Sequence, residues 1–302
     1  MNVSVVIPAK NEESTIAAVV TGALRIGDVC EVVVVDDGST DATAAHAGSA
    51  GARVVSHPYS RGNGAAVRSG ALAATQPVLV FMDGDGQHDP ADIPKLLEQL
   101  QQGHDLAVGA RRTRQDQSSF ARWGANSVYN RLASLLVGHR VDDLTSGFRA
   151  FRRREFLSVL PLLPNGFSYP TTSTMAYFRA GRSVRFVPVR VGRRAAGAPS
   201  HIRPLRDGLR FLTIIFKVVT LYSPLKVFAP VSAALFAIGS AYYLYTYMAD
   251  ERFTNMGMLL FLSSLMTFLF GLLAEQITTL IHLQVRPTDA APTAERRTTD
   301  EP

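Results

Sequence analysis

At 302 residues the chain is long enough to bury a sizeable core in one large domain or two small ones, which excludes a peptide-sized scaffold. Its single cysteine, Cys30, excludes an intrachain disulfide framework and is expected to be a buried structural thiol. The net charge of +6 reflects 31 basic against 25 acidic residues, and seven of the bases fall between Arg185 and Arg210, opposed only by Asp207. So local an excess points to an anionic partner at that place, and nucleic acid is not the expected one.

The opening MNVSVVIPAKNEE has no basic stretch followed by an apolar one, so no signal peptide is expected and the chain is expected to start in the cytoplasm. Apolar, β-branched runs at Val3 to Ile7, Glu31 to Val35, Arg53 to Ser56, Val78 to Met82 and Leu106 to Val108 are separated by helix-length stretches. That spacing predicts a parallel sheet with crossover helices over residues 1 to about 110. Helix starts are expected at Asn11 or Ser14, at Ser39, and at Asp89 with Pro90, where capping side chains precede helical runs. From Ser118 to Arg190 the pattern is less regular: a helix at Arg122 to Leu136, the loop Asp142 to Arg149, helices near Arg153 and Thr172, and a strand Val184 to Val189.

Leu205, Leu209, Leu212, Ile215, Phe216 and Val219 recur at helical spacing among Arg206, Arg210 and Lys217, predicting an amphipathic interfacial helix with bases for lipid headgroups. Val227 to Met248 and Phe253 to Ala274 carry no charged residue and match a hydrocarbon core of about 30 Å, so two transmembrane helices are expected. The basic residues before the first span and Arg286 after the second predict cytoplasmic termini on a multi-pass membrane protein. The expected division is a cytoplasmic catalytic domain over 1–200, interfacial helices over 201–226, a two-helix anchor over 227–284 and a disordered tail over 285–302. Glu275 lies near the inner end of the second span and is expected either to reach the interface or to pair with Lys226.

Chemistry is concentrated at strand ends. Asp83-Gly84-Asp85 directly follows the strand Val78 to Met82, at the carboxyl edge where open α/β sheets bind ligands. Two hard oxygen donors there suit Mg²⁺ or Mn²⁺ shared with a diphosphate. Asp36-Asp37 ends a second strand before a helix, where a carboxylate can accept from a base or ribose, and Pro8-Ala9-Lys10-Asn11-Glu12 ends a third. Arg61-Gly62-Asn63-Gly64 reads as a helix cap or as a loop closing near a ligand.

The motifs P-A-x-N-E, V-D-D-G-S-x-D, R-G-x-G-x-A, D-x-D-x-Q-H and T-S-G-F-R together resemble family 2 glycosyltransferases, most of all the dolichol-phosphate mannose synthase and bactoprenol glucosyltransferase branch. The resemblance covers roughly residues 1 to 210. It implies an A-type glycosyltransferase fold, Rossmann-like with a mostly parallel sheet, followed by the interfacial helix and the two spans. It further implies that Pro8, Ala9, Glu12, Asp37, Asp83 and Gly84 hold the nucleotide sugar, with Arg194 and His201 in a basic loop over the diphosphate. Asp83, Asp85 and Gln87 are the implied metal ligands for Mg²⁺ or Mn²⁺. Arg111, Arg122, Asn126 and Ser146 are the implied grip on an acceptor phosphate, and Asp85, Arg111, Arg122 and Arg149 the implied catalytic set, with Ser146 and Arg149, in the loop that borders the acceptor site, candidates for lipid-phosphate or fold-stabilising contacts.

The activity so implied is inverting transfer of a sugar from a nucleotide diphosphate, GDP-mannose or a UDP-hexose, to a polyprenyl phosphate at the cytoplasmic face of the bilayer. Assembly into a homo-oligomer is left open. A processive polysaccharide synthase is the first rival, against which stand the missing Q-x-x-R-W and the two spans, too few for a channel. A non-catalytic nucleotide-sugar-binding membrane scaffold is the second. The stretch Phe167 to Thr172 lacks the acid expected from well-known members, and the donor sugar is not legible.

Overall fold

The structure is a computed structural model that describes residues 1–111, 127, 130, 131, 133–135, 137–165, 169–192, 223–250 and 254–285. The interfacial helix of Leu205 to Val219, the tail from Arg286, and the sites Arg122, Asn126, Arg194 and His201 lie outside the described residues.

Seven strands form one sheet: β1 (Val3–Ala9), β2 (Val29–Asp36), β3 (Arg53–Ser56), β4 (Val78–Phe81), β5 (Leu106–Arg111), β6 (Arg149–Arg152) and β7 (Val184–Val189), in the order β3-β2-β1-β4-β6-β5-β7. All neighbours run parallel except β6, which lies antiparallel between β4 and β5. The helices are α1 (Ile16–Leu24), α2 (Thr43–Ser49), α3 (Asn63–Ala73), α4 (Ile93–Gln101), α5 (Arg153–Val159), α6 (Tyr169–Arg179), α7 (Leu225–Asp250) and α8 (Asn255–Val285).

Both faces of the sheet are covered, so the strands read as unbroken apolar runs. Val6, Val33, Val35, Leu79, Phe81 and Phe151 pack with α3, α5 and α6 on one face. Their neighbours Val5, Ile7, Val32, Val34, Val80 and Ala150 pack with α1, α2 and α4 on the other. This two-residue alternation places successive side chains in different layers.

Three local expectations change. Cys30 is exposed, because it precedes the point where β2 enters the core. Of the expected caps only Asp89 acts as one, accepting from Ala91 N–H at 2.9 Å. Asn11 and Ser39 instead join loops: Ser39 Oγ accepts from Asn11 N–H at 3.0 Å and Asn11 Oδ1 from Thr40 N–H at 2.9 Å, with Asn11 at φ 55°. β6 was read as loop and helix start, and its register decides what faces the site.

The helices α7 and α8 are long and apolar enough to cross a membrane, and only 11% and 17% of their most apolar windows is buried. A core hairpin of a soluble protein would hide them; here Leu244, Tyr245, Phe270 and Leu273 all stand more than half exposed. The two helices are joined through Ser232 and Ser264, whose hydroxyls donate to each other's carbonyls at 2.8 and 2.9 Å. Such reciprocal bonds between small residues suit helix contact in lipid.

Candidate active site

The carboxyl ends of β1, β2 and β4 stop at one level and open a cleft of about 310 Å³. Pro8, Ala9, Glu12, Asp37, Asp83, Gly84 and Asp85, all expected at the site, line it together. Lys10 and Asn63, from the Pro8–Glu12 and Arg61–Gly64 stretches, also line it, and so does Ser60, which no motif includes. The D-x-D turn is tied to the first helix, because Thr15 Oγ1 donates to the Gly84 carbonyl at 2.7 Å. Gly86, at φ 71°, then reverses the chain, and Gln87 N–H donates to Asp85 Oδ1 at 3.1 Å.

Asp83 is held at an unusual potential. Crowding around its carboxylate, then the charge of Asp85, raise its pKa to about 6, although 40% of the side chain faces the cleft. Two like charges forced together at a strand end are relieved by a divalent cation, and hard carboxylate oxygens fit Mg²⁺ or Mn²⁺. Among the described residues no group of three His, Cys, Asp or Glu side chains converges, so a bound ion would draw its other ligands from the diphosphate, water or a neutral donor such as Gln87. Gln87 is not among the cleft-lining residues; its Nε2 is turned to the Gly192 carbonyl at 3.5 Å.

Asp37 lines the cleft but is spent on the protein. Oδ1 accepts from His57 Nδ1 at 2.7 Å and Arg61 N–H at 2.8 Å, and Oδ2 from Ser60 Oγ at 2.8 Å and Gly62 N–H at 2.9 Å. Four donors fill what a carboxylate can accept. Burial alone would raise its pKa, but these bonds outweigh it and hold the group at about 2. Asp37 thereby fixes the Ser60–Gly62 turn as the cleft wall.

Antiparallel pairing of β6 brings the second cluster in. Phe81 faces Arg149 in the β4–β6 register and Val108 faces Arg149 across β5, so the loop before β6 runs between the ends of both strands. Arg111 ends β5 and forks onto Asp143, Nε to Oδ2 at 2.8 Å and Nη2 to Oδ1 at 3.1 Å. Burial pushes Asp143 up, yet the hydrogen bonds and charge of Arg111 pull it below the usual carboxylate range. His88, buried and stacked 5.1 Å from Phe148, is lowered to about 4 by its burial and so is neutral at pH 7.

For Arg149 and Ser146 the contacts are within the protein. Arg149 is fully buried, and its guanidinium donates to the carbonyls of Ser146 at 2.6 Å and Leu144 at 3.1 Å and to the hydroxyls of Ser173 and Thr174. Burial lowers its pKa to about 10, which leaves it charged at neutrality. Ser146 is 2% exposed and its hydroxyl accepts from Phe148 N–H at 3.3 Å. Sealed beneath the loop, both side chains shape it.

The end of β7 is zipped to the D-x-D loop. His88 bridges Val191, Gly192 N–H donates to the Gln87 carbonyl at 2.8 Å, and Arg190 N–H to Asp92 Oδ2 at 3.3 Å. The last described residues of this stretch, Val191 and Gly192, thus lie beside the D-x-D loop.

Comparison with known proteins supplies the context. The sequence pattern of glycosyl transferase family 2 matches residues 4–159, and that of the GtrB C-terminal hairpin matches residues 223–280. Glycosyltransferase AglJ of Haloferax volcanii is 30% identical over 294 residues, spanning 94% of this chain and 96% of that protein. The undecaprenyl-phosphate 4-deoxy-4-formamido-L-arabinose transferase of Pseudomonas aeruginosa is 30% identical over 264 residues, 80% of this chain and 72% of its own. Among solved structures, glucosyl-3-phosphoglycerate synthase from Mycobacterium tuberculosis, in complex with Mn²⁺, UDP and glucosyl-3-phosphoglycerate, superposes with a TM-score of 0.55 at 28% identity, over 72% of this chain and 78% of that one.

Proposed function

The chain belongs to glycosyl transferase family 2 and is a glycosyltransferase, and on that premise we propose that it moves a hexose from a nucleotide diphosphate sugar to a polyprenyl phosphate at the inner membrane face. The observation that carries the reading is the conjunction, in one chain, of the Asp83–Asp85 cleft with two exposed helices long and apolar enough to cross a membrane. The donor is a solute and the acceptor a lipid, and only an anchored enzyme meets both at the interface.

The acceptor phosphate oxygen forms the new bond to the anomeric carbon while the bond to the diphosphate oxygen breaks, its electron pair leaving with the nucleoside diphosphate and the anomeric centre inverting. A phosphate monoester has its second pKa at about 6, so the nucleophile is already anionic at neutral pH and no side chain has to remove a proton. Catalysis then reduces to positioning and charge compensation.

Pro8, Ala9, Glu12 and the wall set by Asp37 hold the nucleoside; Asp83, Asp85 and Gln87 would hold a Mg²⁺ or Mn²⁺ ion. Such an ion supplies Lewis-acid compensation of the charge on the departing diphosphate. Arg194 and His201 are assigned to that diphosphate too. Arg111, held in place by Asp143, is assigned with Arg122 and Asn126 to the acceptor phosphate, for which the guanidinium fork is suited. The catalytic half and both termini are placed in the cytoplasm, where nucleotide sugars are found.

The test is incubation of membranes carrying the protein with a panel of radiolabelled nucleotide sugars and undecaprenyl phosphate. A lipid-linked sugar should form with one donor, and Asp85→Ala should abolish it while leaving the protein in the membrane fraction. Product formation by Asp85→Ala at the parent rate would remove the metal assignment, and absence of lipid-linked product with every donor would remove the acceptor.

A further inference from the structure

The loop Asp143–Gly147 does more than border the cleft. Continuing the β4–β6 register past Phe81 and Arg149 sets Gly147 opposite Asp83. The approach is so close that a Cβ on Gly147 would lie 2.6 and 2.8 Å from the two carboxylate oxygens of Asp83. Asp83 therefore rests against bare backbone, and wherever Gly147 stands, the carboxylate follows.

Gly147 is itself held from behind. Its carbonyl accepts from the Tyr169 hydroxyl at 2.8 Å, and Tyr169 is 1% exposed. The Tyr169 ring also lies 5.9 Å from the ring of Phe81, the last residue of β4, two positions before Asp83. One side chain thus touches the segment that carries Asp83 and the backbone against which Asp83 leans. Burial, and after it the nearby charge of Asp83, raise the phenol well above its ordinary value, so the hydroxyl remains a donor at any working pH.

We propose that Tyr169 is a positioning residue of the metal site, whose buried hydroxyl sets the Asp83 carboxylate through the Gly147 carbonyl. This rests on the reading that Asp83 and Asp85 hold a divalent ion. It also gives a use to the stretch from Phe167 to Thr172, which lacks the expected acid: here that stretch contributes a neutral donor that acts through the loop. Partners that orient metal ligands from outside the coordination sphere cost roughly 10–100-fold in metal affinity when removed.

The experiment is titration of the purified full-length protein in detergent with Mn²⁺, the free ion being counted by electron paramagnetic resonance, in the presence of UDP and separately of GDP. Tyr169→Phe keeps the ring and removes the hydroxyl, and should weaken Mn²⁺ binding roughly tenfold or more. Tyr177→Phe removes another buried hydroxyl, two turns further along the same helix, and should leave Mn²⁺ affinity where it is. Gly147→Ala, which puts a methyl group against the carboxylate, should weaken Mn²⁺ binding at least as much as Tyr169→Phe, and reports on the same contact should that variant not fold.

Parent-like Mn²⁺ affinity in Tyr169→Phe or in Gly147→Ala would overturn the proposal. So would an equal loss in Tyr177→Phe, which would mean general softening of the helix. If the parent protein binds no Mn²⁺ with either nucleotide, the reading of Asp83 and Asp85 as metal ligands fails, and the proposal with it; if the parent binds and Tyr169→Phe binds equally, only the role of Tyr169 fails.

Discussion

The guanidinium of Arg179 and the carboxylate of Glu275 meet at 3.3 Å, joining the last turn of α6 to the C-terminal half of α8. The second oxygen of Glu275 accepts from Leu225 N–H at 3.3 Å, at the start of α7. An acid inside an apolar helix is thereby explained as a clasp between catalytic half and anchor. α6 carries Arg179 at one end and Tyr169 at the other, so one helix links the anchor to the loop behind Asp83. Both side chains of the pair are partly exposed, which limits its worth to about 1 kcal/mol or less. A double-mutant cycle of Arg179→Gln and Glu275→Gln, read by thermal unfolding in detergent, should show a coupling of about 0.3–1 kcal/mol. Additive single effects would mean that the clasp contributes nothing.

Asp37 is the hub of the cleft wall, and its removal should cost fold before chemistry. Asp37→Ala leaves His57, Ser60 and two backbone N–H groups without their acceptor, a loss of about 2–4 kcal/mol. The depressed pKa fixes the sign of the pH effect: the contribution is present above the unfolded value near 4 and is lost as pH falls toward about 2. Denaturant midpoints of parent and variant should differ clearly at pH 7 and converge at the acid end of that window. An unchanged midpoint at pH 7 would return Asp37 to direct nucleotide contact.

Much of this was legible in the sequence because parallel strands buried on both faces leave unbroken Val and Ile runs, and because ligands gather at their carboxyl ends. Asp83, Asp85 and Glu12, read at the ends of such strands, line one cleft. β6 was not legible, since Arg-Ala-Phe-Arg running into a helix carries no strand period and only its two neighbours make it one. The contact of Gly147 with Asp83 depends on that strand's register, and the hydroxyl of Tyr169 comes from a helix further on. The donors around Asp37 were not legible either, because a motif names the acceptor and leaves unsaid which donors fill it.

Arg149 should behave as a structural keystone. Its guanidinium satisfies two carbonyls and two hydroxyls in a fully buried position. Arg149→Lys keeps the charge but cannot fork, so buried acceptors go unmet, at about 3–5 kcal/mol. Arg111→Gln, at the end of β5 with 23% of its side chain exposed, should lose less stability than Arg149→Lys while losing transfer. Urea unfolding of the two variants separates these outcomes; equal midpoints for Arg149→Lys and the parent would put Arg149 back among groups that meet substrate.

Asp83 makes the opposite pH prediction from Asp37. Its folded pKa, raised to about 6, means that ionisation opposes the fold: the stabilising contribution is complete below the unfolded value near 4 and is lost as pH rises through about 6. Asp83→Asn cannot ionise, so in the metal-free protein it should be the more stable form at pH 7.5 and should lose that advantage by pH 4. Water reaches 40% of the Asp83 side chain, and this screening limits the gain to about 1 kcal/mol. Added Mn²⁺ with UDP or GDP should reverse the order at pH 7.5, because a cation relieves the repulsion with Asp85 only while both carboxylates are present. Thermal unfolding of the two proteins across this pH range, with and without the ion, gives all four comparisons. If Asp83→Asn were no more stable than the parent at pH 7.5 without metal, the carboxylate would carry no strain for a cation to relieve.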